Sequence, residues 1–204
     1  MNAFKNMNLP NKLTIIRIVM VPLFMVSMML TKNMESDGVR LALYIVSAVL
    51  FLGAAITDFV DGKIARKNNL VTSFGKFMDP LADKFMVIGA LMAGIYVYDN
   101  MRLWLVLATA ITVFRELAVS GIRLIAVTGE KVVIAAAMPG KIKTFSQCIF
   151  VELLILEPVI FSALGLENFA ACTPLTYVCM AVMVFFTIYS GMQYIMAYKK
   201  YITI

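Results

Sequence analysis

Six long apolar runs, at about 13–30, 41–57, 85–98, 103–119, 142–156 and 175–197, constrain this chain more than any other feature. A helix needs about 20 mostly apolar residues to cross a hydrocarbon layer of about 30 Å. Only helices and closed barrels satisfy their own backbone there. With 62% of 204 residues hydrophobic and 15% charged, the chain also has too little polar surface for a soluble domain, which averages about 25% charged residues. The expected fold is therefore all-α, a six-transmembrane-helix bundle forming a single membrane domain over 1–204. The third and fifth runs are short, so their helices are expected to continue into the polar stretches beside them. Pro22 lies inside the first run and predicts a kink. Residues 1–10 suit a short interfacial helix on the membrane surface. A cleaved signal peptide is not expected, because Asn8-Leu9-Pro10-Asn11-Lys12 interrupts the apolar pattern.

Charge placement sets an orientation. With both termini on the inner side, fifteen of the eighteen Lys and Arg residues fall in inner segments, leaving Lys32, Arg40 and Arg102 outside. Positive residues accumulate on the cytoplasmic side of membrane proteins, so the connection between the second and third spans faces the cytoplasm. The expected location is the inner (cytoplasmic) membrane. The three cysteines, Cys148, Cys172 and Cys179, have no metal-ligand spacing and imply no disulfide framework. There is no histidine. That removes a histidine base, a histidine nucleophile and the commonest transition-metal ligand, and leaves a hard cation held by oxygen as the metal chemistry open to the chain.

Between the second and third runs stands TDFVDGKIARKNNLVTSFGKFMDPLADK, residues 57–84. Asp58 and Asp61 are three apart and share a helix face; Asp79 and Asp83 are four apart and share a face of the next helix. Pro80 is expected in the first turn of that helix, where it is tolerated. A charged aspartate at bilayer depth costs about 2.5–3.5 kcal/mol, and four converging carboxylates also repel one another. Bound cations remove both problems. A carboxylate-rich, all-oxygen site suits Mg2+ or Mn2+, and a pair of such ions is the usual clamp on a transferring phosphoryl group. Gly62 and Ala65 leave room for a flat ligand, Gly75 permits close backbone approach, and Arg66 offers a planar fork to phosphate oxygens.

The run Asp58-x2-Asp61-Gly62-x2-Ala65-Arg66-x8-Gly75-x3-Asp79-x3-Asp83 resembles the signature of the CDP-alcohol phosphotransferase family at every fixed position. Asn8-Leu9-Pro10-Asn11-Lys12-Leu13-Thr14-Ile15-Ile16-Arg17 is similar to the start of the first helix in the bacterial phosphatidylglycerophosphate synthases of that family. The segments at 115–123 and 140–144 are similar to their fourth and fifth helices. Beyond about residue 147 only hydropathy matches. The resemblance implies that Asp58, Asp61, Asp79 and Asp83 hold two Mg2+ (or Mn2+) ions and that Asp83 is also the general base. It implies that Gly62, Ala65, Arg66, Thr72 and Gly75 contact the CDP portion of CDP-diacylglycerol, with Asn11 and Thr14 closing over the nucleotide. It further implies a homodimer whose polar cavities open to the cytoplasm.

The acceptor is read from other residues. Arg115, with Glu116 beside it, interrupts an apolar run, and a charge there is functional by default. Arg123 lies eight residues on, near the same face, and Lys141 and Lys143 join them on the inner side. Three or four cations beside a phosphoryl-transfer site suit an acceptor that carries phosphate itself. Glycerol 3-phosphate and inositol phosphate satisfy those charges equally, and serine or a neutral alcohol does not. The resemblance selects glycerol 3-phosphate, with inositol phosphate, phosphatidylglycerol or serine as alternative acceptors. Two rival classes fit less well. An intramembrane prenyltransferase resembles a larger bundle with two separated aspartate-rich segments, whereas both pairs here lie within 26 residues and six spans. A cation transporter would not need Gly62, Ala65, Arg66 and Gly75 at those offsets. A phospholipase-D-like route needs a histidine that is absent. Glu152, inside the fifth run, receives no role from the sequence.

Overall fold

The computed structural model describes residues 7–67, 72–129 and 138–199, all of whose regular structure is helical. The order is α1 (Leu9–Leu30), a 3-10 turn (Thr31–Asn33), α2 (Asp37–Lys67), α3 (Ser73–Val97), α4 (Arg102–Gly129), α5 (Met138–Ala163), the short α6 (Glu167–Cys172) and α7 (Pro174–Ala197). Six stretches are long and apolar enough to cross a membrane: Leu9–Asn33, Asp37–Asp58, Phe77–Val97, Arg102–Leu124, Met138–Ala163 and Asn168–Ala197. As expected, the third and fifth helices run well past their apolar cores. Residues 1–6 of the expected interfacial helix lie outside the described residues. From Leu9 onward the chain is already in α1, which Asn8 caps by accepting from the Asn11 N–H at 3.3 Å.

At 1.5 Å per residue the 31 residues of α2 extend about 46 Å, well beyond a hydrocarbon layer of about 30 Å. That surplus length carries Asp58 and Asp61 past the apolar part of the helix. The start of α3 differs from the sequence expectation. Thr72 caps it, accepting from the Gly75 N–H at 3.0 Å, so the helix begins at Ser73 and Pro80 falls in its interior rather than its first turn. There the proline cannot donate to the carbonyl one turn back. α1 likewise carries Pro22 inside a continuous helix.

α1 packs along α2 and α3, α3 continues the contact onto α4, and α5 lies against α2, α3 and α7, while α7 closes on α4. The core between them is apolar, with Phe24, Met28, Phe51, Leu91, Leu105, Phe150, Leu154 and Met183 fully buried. Outward faces are apolar too, for example Val19, Leu23 and Val26 on α1 and Val178, Val182 and Phe185 on α7. A helix apolar all round is one whose outer face meets lipid. Between such helices, polar side chains fix the pairing, as in the 2.8 Å hydrogen bond joining Ser27 of α1 to Ser47 of α2.

At the end of the bundle away from the aspartates, Glu157 of α5 is 2% exposed. Its carboxylate accepts from the Leu175 N–H at 2.8 Å and from both the N–H and the hydroxyl of Thr176. These are first-turn donors of α7, which otherwise have no partner in their helix, and the helix dipole favours a negative charge at that point. Thr173 makes the tight junction between α6 and α7 with φ 43°, a left-handed conformation that is uncommon outside glycine.

Candidate active site

Three helix ends build the site. The inward face of α1 presents Asn11, Thr14 and Arg17 at spacings of three, and all three are buried. The end of α2 contributes Asp58. The first turns of α3 bring Thr72, Gly75, Asp79 and Asp83, the last three at spacings of four on one face. Each α1 residue meets one partner set. The Thr72 hydroxyl donates to Asn11 Oδ1 at 2.9 Å, and Thr14 donates to Asp79 Oδ1 at 2.6 Å. Arg17, 0% exposed, places one guanidinium nitrogen 3.0 Å from Asp58 Oδ1 and 2.9 Å from Asp83 Oδ1.

Arg17 is a further candidate that sequence reasoning passes over. It was counted among the inner positive charges, although an arginine inside an apolar run is the same signal that singled out Arg115. Its position explains how Asp58 and Asp83 coexist at a helix-bundle end. A guanidinium stays charged at any accessible pH, so it offsets the repulsion between Asp58 and Asp83 permanently. Asp61 follows Asp58 by one helical turn on α2, and Gly62, Ala65 and Arg66 follow on the same helix; the side chains of these four lie outside the described residues. Among the described residues no three acidic or cysteine side chains are gathered as a metal would hold them. Arg17 draws Asp58 and Asp83 to itself while Thr14 holds Asp79 apart. The donor set nonetheless fits a hard cation: carboxylates from α2 and α3 already reach one positive centre.

Gly75 lines the same space. A Cβ added there would lie 3.2 Å from Asn11 Oδ1, 3.3 Å from Thr72 Oγ1 and 3.6 Å from Asp79 Oδ2. The glycine therefore keeps a narrow gap among three oxygen-bearing side chains, where a ligand's polar edge can approach backbone.

A second cluster sits on α4 and α5. Glu116 Oε1 accepts from Arg115 at 2.9 Å and from Lys143 across the bundle. Two cations share one carboxylate, which leaves the triad one positive charge in surplus. Lys143 is also within electrostatic reach of Asp83, so the two clusters face one interior. Lys84, beside Asp83 in sequence, donates to Ser120 Oγ at 2.6 Å, tying α3 to α4 at this level. On α7, a Cβ at Gly191 would lie 3.0 Å from Arg115 Cγ, so α7 braces the arginine from behind. Of the four expected acceptor cations, Arg115 and Lys143 belong to this cluster. Arg123 and Lys141 are exposed and lie outside it. Eight residues advance a helix about 80° beyond two full turns, enough to carry Arg123 off the buried face of Arg115.

The described arrangement gathers carboxylates, one buried guanidinium and a nearby cationic patch at one end of a lipid-facing bundle. Comparison with known proteins agrees with what such a site can do. A family model described as CDP-alcohol phosphatidyltransferase matches residues 7–189. The chain is 42% identical over 193 residues to a Bacillus subtilis (strain 168) protein named CDP-diacylglycerol–glycerol-3-phosphate 3-phosphatidyltransferase, covering 92% of this chain and 93% of that one. It is 35% identical over 195 residues to a Rickettsia felis protein of the same name, covering 95% and 97%. A Mycobacterium tuberculosis (strain ATCC 25618 / H37Rv) protein named probable phosphatidylglycerophosphate synthase is 34% identical over 188 residues, covering 92% and 80%. By its sequence along nearly its whole length, this chain belongs to the CDP-alcohol phosphatidyltransferase family.

Proposed function

We propose that the protein transfers the phosphatidyl group of CDP-diacylglycerol to glycerol 3-phosphate, giving phosphatidylglycerophosphate and CMP. The observation that carries this reading is the likeness, along nearly the whole chain, to the Bacillus subtilis enzyme named for that reaction. Family membership also sets aside the prenyltransferase and transporter alternatives.

Asp58, Asp61, Asp79 and Asp83 would hold two Mg2+ or Mn2+ ions, which when bound offset the charge of the diphosphate and of the departing CMP. The acceptor's primary hydroxyl oxygen forms a bond to the diacylglycerol-side phosphorus. The bond from that phosphorus to the CMP oxygen breaks, and the electron pair leaves with CMP. The hydroxyl proton passes to the carboxylate of Asp83. A carboxylate is a weak base for an alcohol, so the transfer belongs late in the reaction. Asn11, Thr72 and the Gly75 gap receive the CDP portion, with Gly62, Ala65 and Arg66 on the facing helix. Thr14 fixes Asp79, and Arg17 holds Asp58 and Asp83 in register from behind. Arg115 and Lys143, poised on Glu116, take the acceptor's phosphate, with Arg123 and Lys141 drawing the anion in from solvent. The aspartate end faces the cytoplasm by the excess of Lys and Arg on that side, and a homodimer is part of the reading.

Purified protein in detergent with CDP-diacylglycerol and Mg2+ is the test. CMP is expected with glycerol 3-phosphate and not with serine, phosphatidylglycerol or inositol phosphate. CMP with inositol phosphate alone would replace the acceptor. No CMP with any of them would remove the reading.

A further inference from the structure

Below the Arg115–Glu116–Lys143 cluster lies a layer that the reaction as described does not use. Gln147 is one turn farther along α5 than Lys143, and Thr112 is one turn earlier on α4 than Glu116. α4 and α5 run in opposite senses, since Glu116 meets Lys143 at one level while Leu105 and Leu154 both lie against Gly94 at another, so both offsets lead deeper into the bundle. Both side chains are 1% exposed. Neither the amide of Gln147 nor the hydroxyl of Thr112 makes a hydrogen bond to any described residue. A buried polar group left in that condition is destabilising, so it calls for a partner of some kind.

The contrast with neighbouring residues is informative. A serine or threonine inside a helix commonly donates to the carbonyl three or four residues back. Thr109 does so to Leu105 at 2.6 Å, Ser120 to Glu116 at 2.6 Å and Thr187 of α7 to Met183 at 2.7 Å. Thr112 lies between the first two on the same helix and does not. Its hydroxyl and the Gln147 amide are instead buried without a described partner, on two helices that both pack against α3 and α7. Farther from the aspartates the same inward stripes turn apolar, at Ala108 on α4 and at Val151 and Leu154 on α5. On these two stripes Gln147 and Thr112 are thus the last polar side chains before the apolar residues begin.

We infer that Gln147 and Thr112 form an uncharged floor to the acceptor pocket and hydrogen-bond the acceptor's non-reacting hydroxyl. This rests on the acceptor reading given above. The cations one turn nearer the aspartates suit the phosphate. An amide, which can both donate and accept, suits a neutral hydroxyl, and a turn of helix, about 5.4 Å, is the scale of a three-carbon acceptor. An acyl chain would leave these groups unsatisfied, and an ionised phosphate would leave the amide oxygen without a donor.

The experiment compares glycerol 3-phosphate with 3-hydroxypropyl phosphate, which keeps the phosphate and a primary alcohol but lacks the middle hydroxyl. A site built around a substrate hydroxyl rejects the analogue without it far more strongly than an apolar pocket discriminates by size. The unaltered protein is expected to prefer glycerol 3-phosphate in kcat/KM by at least about 10²-fold. Gln147→Leu, and to a lesser degree the near-isosteric Thr112→Val, should lower kcat/KM for glycerol 3-phosphate while leaving that for the analogue unchanged, so that the preference collapses toward unity. A merely structural role would depress both acceptors together and overturn the inference. Equal use of both acceptors by the unaltered protein would also overturn it, and needs no variant to fold. No CMP release with glycerol 3-phosphate at all would instead remove the acceptor reading, and the floor with it.

Discussion

Both ends of this helix bundle take carboxylates out of water, and they do so in opposite ways. Glu157, at the end away from the aspartates, is shut off from solvent: two backbone N–H groups and a hydroxyl at the start of α7 donate to its two oxygens. Asp58 and Asp83, at the other end, are held from behind by Arg17 and keep 34% and 44% of their side chains exposed. A carboxylate sealed from solvent and bonded to a helix start has finished its work when the protein folds. One that keeps a third or more of its side chain exposed can be reached by something that arrives later. The difference separates an acid that fixes a helix end from acids positioned for chemistry, and substitutions can test it one residue at a time.

The largest effect is expected at the open end. Asp83→Asn should lower kcat for CMP release by about 10²–10⁴-fold, the range typical of a lost general base, with the fold retained. Next comes Arg17. Arg17→Met removes the buried cation and leaves Asp58 and Asp83 facing one another. Breaking a fully buried pair costs about 3–5 kcal/mol, but these aspartates are partly exposed, so about 2 kcal/mol of stability is the expected loss. That loss should be read as a lower melting temperature in EDTA and should be largely restored by Mg2+. Absence of any Mg2+ rescue would break the link between the arginine and a cation site.

At the closed end, Glu157→Gln keeps the shape but loses the charge and one acceptor geometry at the start of α7. A stability loss of about 1–2 kcal/mol is expected, with turnover per folded molecule unchanged. The smallest effect is expected from Gly75→Ala, because the added Cβ meets side-chain oxygens at 3.2–3.6 Å rather than clashing outright. KM for CDP-diacylglycerol should rise a few-fold, on the order of 1 kcal/mol, with little change in KM for glycerol 3-phosphate. A larger effect on the acceptor than on the donor would misplace the nucleotide.

The spans were legible because membrane thickness sets a length that apolar runs either meet or miss. The aspartate pairs were legible because offsets of three and four can only mean one helix face. What stayed hidden depended on partners far away in the chain. Glu157 has no basic neighbour in sequence, and the donors that satisfy it come 18 and 19 residues later from a helix start. Arg17 pairs with residues from two other helices, so its counter-ions could not be read from its surroundings. Pro80 was misplaced for a local reason: the Thr72 cap begins α3 earlier than the apolar pattern suggests. Arg123 and Lys141 show the limit of counting charges, since small phase differences decide which cations face inward.

The central claim is that the open carboxylates act in the reaction and the closed one does not. It is tested most directly by CMP release from CDP-diacylglycerol and glycerol 3-phosphate, at saturating Mg2+, by purified Asp83→Asn and Glu157→Gln proteins normalised to folded material. The account predicts that Glu157→Gln turns over like the unaltered protein while Asp83→Asn loses about 10²–10⁴-fold. Near-normal turnover by Asp83→Asn, or an equal loss in both, would contradict it.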